Sequence, residues 1–249
     1  MTTKQETYQI TASSTPGATK IPIALSVPPL RADNLGLITW GGAFILANIL
    51  HRLPIHDVPS DTPVPVLELG AGTGLVGITA AALWKTHVVL TDLEPIVPGL
   101  VANIALNREM LTQYGGRVSS GTLDWNSPTR LILEQEVAAA LGVAELIVGE
   151  RGDDRNKATI ILCADTMYSE EHPELISQTI FAQLQRDPNA RAVLCYPMRV
   201  AYLDAMREFY ERMEQGGMVL VEEGREELPD DSWDDERQTE WNVWTWKDV

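Results

Sequence analysis

Short apolar runs alternate with longer amphipathic segments through most of this 249-residue chain. Near-continuous apolar strands separated by helices are typical of a parallel sheet that is covered on both faces. We therefore predict an α/β fold with a mostly parallel sheet and an antiparallel C-terminal hairpin at its edge. The seven predicted strands are residues 64–69, 87–92, 117–123, 158–165, 190–196, 218–224 and 240–247. The predicted helices are residues 39–53, 74–84, 95–110, 129–141, 172–185 and 200–215.

Residues 39–249 are predicted to form a single domain, because a segment of this length can bury a sizeable core. Residues 1–38 are predicted to be an N-terminal arm, either irregular or an edge strand, since PIALSVPPL is too rich in proline for a central strand. Cys163 and Cys195 lie in apolar runs, and two reduced core thiols are consistent with a cytosolic or nuclear protein. We expect no membrane span and no secretory signal.

The chain is acidic, with a formal net charge of −16. Such a surface repels nucleic-acid phosphates and anionic lipids, so we expect neither nucleic acid nor a membrane as partner. It suits a basic protein partner or a cationic ligand, and it also favours solubility without any partner. The four histidines and two cysteines lack metal-ligand spacing. We therefore predict no metal site, interpret the histidines as surface or capping residues, and expect a monomer.

A glycine-rich segment, VLELGAGTGLVG (66–77), joins the first predicted strand of the domain to its helix. It lacks the third glycine of a dinucleotide fingerprint and the Gly-Lys-Ser/Thr of a phosphate-binding loop. Its E-x-G-x-G-x-G spacing is similar to that of class I methyltransferases, which bind S-adenosylmethionine (SAM). The pattern consists of Glu68, Gly70, Gly72 and Gly74. Glu68 is predicted to face the cationic amino-acid end of SAM, and Asp92, which ends the next strand, to accept both ribose hydroxyls.

Two tryptophans stand where walls of a SAM site are expected. SAM has a net charge of about +1, so aromatic faces attract it through cation–π interactions worth about 0.5–2 kcal/mol. Trp40 precedes Gly41-Gly42 at the start of the first helix, and Trp125 follows the third predicted strand. Each tryptophan is interpreted either as a core residue or as a wall of the site.

Most of residues 39–180 resembles methyltransferase family 16, the seven-strand protein-lysine methyltransferases that lack a SET domain. The most specific match is Asp165-Thr166-Met167-Tyr168, which is similar to the D-x-x-Y signature after the fourth strand. The other matching segments are TWGGAFILANIL (39–50), VLELGAGTGLVGITAA (66–81), VVLTDLEPIVPGLVANIALN (88–107) and LDW (123–125). Beyond residue 180 only the layout is similar. The resemblance implies the Rossmann-like, seven-strand class I methyltransferase fold.

The resemblance also implies a role for each matching residue. Trp40 would flank the cofactor, while Trp125 and Ala164 would line its adenine and sulfonium region. Asp165 and Tyr168 would lie beside the methyl acceptor; alternatively, Asp165 caps the following helix and Tyr168 is a packing residue. The methionyl and ribose parts would contact Gly70, Ala71, Gly72 and Asp92.

The resemblance thus implies a SAM-dependent N-methyltransferase that acts on a protein lysine, with an elongation factor or a chaperone as the type of substrate. A small-molecule N-methyltransferase and a non-catalytic SAM-binding scaffold are the alternatives. The N-P-P-Y tetrapeptide of methylases that act on amide or base nitrogens is absent. The tryptophan-rich C-terminus is either sheet packing or a hydrophobic rim of a lysine channel; it contains Trp233, Trp241, Trp244 and Trp246.

Overall fold

The computed structural model describes residues 4–15, 17, 19–32, 35–55, 58, 62–134, 145–147, 156–229 and 236–249. Its strands are β1 Lys4–Thr11, β2 Lys20–Val27, β3 Arg31–Ala32, β4 Leu35–Gly36, β5 Val66–Leu69, β6 His87–Asp92, β7 Arg117–Thr122, β8 Arg130–Leu133, β9 Glu145–Ile147, β10 Ile160–Ala164, β11 Arg191–Pro197, β12 Met218–Glu227 and β13 Gln238–Trp246. Its α-helices are α1 Gly41–Ile49, α2 Leu75–Trp84, α3 Val97–Leu106, α4 Arg108–Tyr114, α5 His172–Gln183 and α6 Leu203–Gln215. Short 3-10 turns cover Leu50–Arg52 and Val200–Tyr202.

The central sheet has the strand order β12-β13-β11-β10-β5-β6-β7-β8-β9. Its five middle strands, from β11 to β7, are parallel to one another. The strands on both sides of this group are antiparallel, and β12 and β13 form the predicted C-terminal hairpin. Because parallel strands end at the same edge, the loops that follow β6, β5, β10 and β11 lie side by side there, in that order.

Helices cover both faces of the sheet and enclose two apolar clusters. Helices α1 to α4 pack on one face, and α5 and α6 pack on the other. The C-terminal tryptophans belong to these clusters: Trp241 faces the first, whereas Trp244 and Trp246 face the second. Sheet packing is therefore their role, and Trp233 lies outside the described residues. None of the helices in the described part of the chain is long and apolar enough to cross a membrane.

The structure corrects two helix predictions. Part of the predicted helix 129–141 is instead strand β8, which pairs antiparallel with β7. Leu131 and Leu133 are buried while Ile132 between them is 37% exposed, which is the two-residue period of a strand. The predicted helix 95–110 is divided at Asn107 into α3 and α4. Residues 135–141 of the first prediction lie outside the described part of the chain.

The N-terminal residues form a hairpin of β1 and β2 rather than an irregular arm, and this hairpin packs against helices of the first cluster. Two asparagine side chains, one in α3 and one at its C-cap, hold the outer edge of β2. Asn107 both donates to and accepts from the backbone of Ala24, and Asn103 does the same with Ser26. Asn103 also donates to the carbonyl of Thr73 at 3.0 Å, so the hairpin is connected to the glycine-rich loop.

Candidate active site

A cavity of about 620 Å³ lies at the carboxyl ends of the parallel strands. Eight of the eleven site residues predicted from the sequence line it: Trp40, Gly70, Gly72, Asp92, Trp125, Ala164, Asp165 and Tyr168. Residues that the sequence analysis did not predict complete the wall, among them Leu37, Ile38, Asp124, Thr166, Glu171 and His172. Seven of the eight are distant in sequence but meet here because four parallel strands, β5, β6, β7 and β10, deliver them to one edge; Trp40 comes from the N-cap of α1.

The glycine-rich loop forms one side of the cavity, and its backbone there has a conformation that residues other than glycine rarely adopt. Gly70 and Gly72 have φ angles of 62° and 55°, in the left-handed region. A methyl group on Gly70 would lie 3.0 Å from the Trp125 ring and 3.1 Å from Thr166 Cγ2, so a side chain there would crowd the wall. Ala71 and Gly74 belong to the same loop but do not line the cavity: Ala71 donates to the carbonyl of Thr91, and Gly74 is the N-cap of α2.

Asp92 connects the end of β6 to the glycine-rich loop. One carboxylate oxygen accepts from the Gly72 backbone N–H at 2.8 Å, and the other accepts from the Leu93 N–H at 2.8 Å. Each carboxylate oxygen has a second lone pair, so the pair of oxygens can accept further hydrogen bonds from a ligand in the cavity. The hydrogen bonds from the Gly72 and Leu93 N–H groups also fix the orientation of the carboxylate toward such a ligand.

Glu68 does not face the cavity, and its predicted contact with the cationic end of a cofactor is therefore corrected. The side chain is 2% exposed, and Oε2 accepts from the Gly77 N–H at 2.8 Å in the first turn of α2. Burial raises the pKa of the Glu68 carboxyl to about 8; the Gly77 N–H opposes this rise, and the charge of Asp92 adds to it. Glu68 thus connects β5 to the first turn of α2, which follows the glycine-rich loop, and it lies in the interior rather than in the cavity.

Changing Glu68 to glutamine should alter how stability depends on pH. The unfolded carboxyl ionises near pH 4.5, whereas the folded one stays protonated up to about pH 8. Between these values the unfolded state binds fewer protons, so the free energy of unfolding should fall by up to about 1.4 kcal/mol per pH unit as the pH rises. Glu68→Gln can still accept from Gly77 but cannot ionise. Urea unfolding between about pH 5 and pH 8 measures the difference, and parallel curves for the two proteins would contradict it.

Asp165 lies at the end of β10 and caps a helix that is remote in sequence. Its Oδ2 accepts from the Ala43 backbone N–H at 2.9 Å, at the N-terminus of α1. Gly42 makes this approach possible, because a methyl group there would lie 2.5 Å from the same oxygen. Asp165 does not cap the helix that follows it: that helix, α5, has Glu171 as its N-cap. The φ angle of Asp165 is 55°, a left-handed conformation that aspartate and asparagine tolerate better than most residues.

His172 links two aromatic walls of the cavity, contrary to the interpretation of all the histidines as surface or capping residues. Its ring lies edge-on to Tyr168 at 4.2 Å and to Trp125 at 5.4 Å between centroids. Nδ1 lies 2.6 Å from the Thr166 carbonyl and 3.4 Å from the Tyr168 N–H. We assign the proton to Nδ1 because the contact with the carbonyl is the shorter. His87 is also not on the surface; it is 8% exposed and bonds to Ser119.

The model of the lysine methyltransferase family matches residues 24–216 of the chain. The chain belongs to this family. The lysine methyltransferase family and the class I fold predicted from the sequence are thereby confirmed, with β8 and β9 added to the seven predicted strands of the sheet.

Named relatives agree with the lysine methyltransferase family. The chain is 30% identical over 225 residues to protein-lysine N-methyltransferase EFM2 of Saccharomyces cerevisiae, covering 84% of this chain and 48% of that protein. It is 30% identical over 204 residues to protein-lysine N-methyltransferase rrg1 of Schizosaccharomyces pombe, covering 79% of this chain and 58% of that protein. The chain therefore spans about half the length of these relatives.

A solved structure agrees with the fold. The fibrillarin pre-rRNA processing protein of Methanococcus jannaschii superposes with a TM-score of 0.51 over 98% of each chain, at 17% sequence identity. At this identity the likeness concerns the fold alone.

Proposed function

We propose that this protein transfers a methyl group from SAM to the side-chain amine of a lysine in another protein. The observation that carries the proposal is that Asp92, the glycine-rich loop and the Asp165–Tyr168 segment all line one cavity. The first two would hold the cofactor and the third would hold the acceptor. Membership of the lysine methyltransferase family and the names of its relatives support the reaction.

The residues of the cavity fit SAM. Asp92 offers two oriented carboxylate oxygens for ribose hydroxyls. Gly70 and Gly72 allow close approach of the backbone, and Trp40 and Trp125 give aromatic faces toward a cation. When bound, SAM supplies an electrophilic methyl group on a sulfonium. The protein need not activate this methyl group; its residues have to position the cofactor and present an acceptor with a lone pair.

The acceptor amine has to lose a proton before it can attack. For a lysine with a pKa near 10.4, deprotonation at neutral pH costs about 4.6 kcal/mol. Removing the ammonium from water lowers this cost, because burial disfavours the charged form. A nearby carboxylate has the opposite effect on the pKa, although it attracts the lysine into the cavity. We therefore assign Asp165 to attraction and orientation of the amine, Tyr168 to its alignment, and water to removal of the proton.

The substrate is proposed to be a basic segment of a protein. The net charge of −16 and the exposed Glu170 and Glu171 beside the cavity support this choice. We further propose that the protein acts in the cytoplasm, the compartment expected for a chain whose two cysteines are free and buried.

One observation favours a small-molecule amine as the alternative acceptor. Gly36, Leu37 and Ile38 precede α1 and contribute a wall of the cavity, as a segment folded over a small substrate would. Ile38 nevertheless remains 41% exposed, so this wall does not close the cavity from solvent. We therefore favour the protein lysine.

Labelling with radioactive SAM separates the two acceptors. The purified protein is incubated with methyl-labelled SAM and a lysate of cells that lack it. A labelled protein band that contains methyl-lysine is expected, and it should be absent with the Asp92→Ala variant. Label that appears only in small molecules would overturn the protein-lysine proposal.

His172 is expected to be a positioning residue for this reaction. His172→Phe keeps a ring against Tyr168 but loses the bond to Thr166, whereas His172→Asn keeps a donor but loses the ring. Each contact is worth about 0.5–1.5 kcal/mol, so each variant should lower kcat/KM by about 2–12-fold. The Asn variant should also raise the KM for SAM, because Trp125 loses its edge contact. Equal, unaltered kinetics in both variants would contradict this role.

A further inference from the structure

Strand β11, which leads into the next turn, lies directly beside Asp165. Strand β11 is the parallel neighbour of β10, and the Asp165 N–H donates to the Cys195 carbonyl at 2.9 Å. After Pro197 the chain forms a 3-10 turn and enters α6; we call residues 198–203 the β11–α6 turn. At the carboxyl edge the order is Asp92 after β6, Gly70 after β5, Asp165 after β10, and then this turn. If SAM lies over β5 and β6 as proposed, the β11 side of Asp165 is left for the acceptor.

Arg199 joins the β11–α6 turn to the wall of the cavity. Its guanidinium carbon lies 5.8 Å from the ring centre of Trp40, which lines the cavity, and 5.7 Å from that of Tyr202. These distances are within the range of cation–π contacts. The turn is therefore held at the rim of the cavity, on the side of α1.

The β11–α6 turn exposes apolar side chains next to Arg199. Val200 is 82% exposed, more than any other large apolar residue in the described part of the chain. Leu203, three positions later and 45% exposed, lies on the same side of the helical turn. Scattered exposed apolar residues are ordinary, but an adjacent pair at the rim of a cavity offers a contact surface.

The opposite side of the rim is acidic. Glu170 and Glu171 precede α5 on the other face of the sheet, both are exposed, and Glu171 lines the cavity. A segment that crosses the rim therefore meets carboxylates on the α5 side and apolar side chains together with Arg199 on the β11 side. Basic residues of the segment are attracted to the carboxylates on the α5 side.

We propose that Val200 and Leu203 dock an apolar side chain of the protein substrate next to the lysine to be methylated. This inference rests on the proposed function and specifies its substrate. Neighbouring strand ends are about 4.8 Å apart, and an extended chain advances about 3.3 Å per residue. The apolar residue should thus lie within about three positions of the lysine in an extended segment. Any basic residues of the segment should flank the lysine on the other side.

The test compares kcat/KM for two matched double variants. The substrate is the protein that becomes labelled in the lysate, after it has been purified and its methylated lysine has been mapped. Val200→Ser with Leu203→Ser removes the proposed contact. Val219→Ser with Val221→Ser removes two exposed apolar residues, 38% and 48% exposed, from edge strand β12. The first pair should lower kcat/KM by about 10–100-fold, mainly through the KM for the protein, and leave SAM binding unchanged. The second pair should stay within about twofold of the native protein.

A change in the substrate identifies the contact. When the apolar neighbour of the lysine is replaced by serine, the effect of the Val200/Leu203 variant should largely disappear, since both changes remove one interaction. Native kcat/KM in the Val200/Leu203 variant, or a methylated lysine with only charged neighbours, would overturn the inference while leaving methylation intact. Failure of the native protein to bind SAM or to label any protein would overturn the proposed function instead.

Discussion

Replacing Asp92 with alanine is expected to raise the dissociation constant for SAM by at least about 100-fold. Two hydrogen bonds from ribose hydroxyls to a carboxylate are worth about 1.5–3 kcal/mol each. The change also removes the acceptor of the Gly72 N–H, so the glycine-rich loop loses an anchor at the place where the cofactor would approach. Calorimetric titration with SAM and with its demethylated product measures the affinity directly.

Two control variants separate recognition from a general loss of structure. Asp92→Asn keeps one acceptor oxygen and should give an intermediate affinity. Asp187→Ala removes an acid that also accepts a backbone N–H, that of Asn189, but in the turn before β11 and outside the cavity lining. That variant should bind SAM with native affinity. A native dissociation constant for Asp92→Ala would refute the cofactor site.

Replacing Asp165 with asparagine is expected to lower kcat by about 100-fold while stability stays near that of the native protein. Asparagine keeps an oxygen for the Ala43 N–H and tolerates the left-handed backbone, so the α1 cap survives. It lacks the charge that attracts and orients the lysine ammonium. Initial rates with saturating SAM, together with urea unfolding, measure the two effects separately.

Asp165→Ala distinguishes the two functions of this side chain. It should show the same loss of kcat and, in addition, a free energy of unfolding lower by about 2 kcal/mol, from the lost cap and the strained alanine backbone. SAM affinity should change by no more than a few fold in either variant, because Asp165 is assigned to the acceptor. If Asp165→Asn methylates at the native rate, the carboxylate only caps α1 and has no part in the reaction.

The parts of the site that depend on local pattern were predictable from the sequence. Asp92 and Asp165 each follow an apolar run, and Gly70 and Gly72 lie between such a run and a helix. Those patterns specify a strand, a loop and the point where the strand ends. Parallel strands deliver their carboxyl ends to one edge, so this part of the cavity lining could be inferred without any knowledge of packing.

Other features depend on which elements pack together. Asp165 bonds to Ala43, 122 positions away, and only the contact of β10 with the start of α1 brings them within reach. The side chain of Glu68 points into the interior, where the Gly77 N–H in the first turn of α2 donates to it. The sequence predicts a helix where β8 lies, because the four residues of this strand are too few to show a clear period. The pairing of β8 with β7 decides their conformation.

By itself, the sequence determined the α/β class and the loops that carry the site, since these follow from hydrophobic period and motif spacing within short segments. It indicated the lysine methyltransferase family through the resemblance of residues 39–180. Only the tertiary structure decided the inward direction of Glu68, the capping of α1 by Asp165, the position of His172 between Tyr168 and Trp125, and the exposed turn at Val200. The reason is physical. The partners of a side chain are determined by the surfaces that come together on folding, and the spacing of residues along the chain does not give the distances between those surfaces.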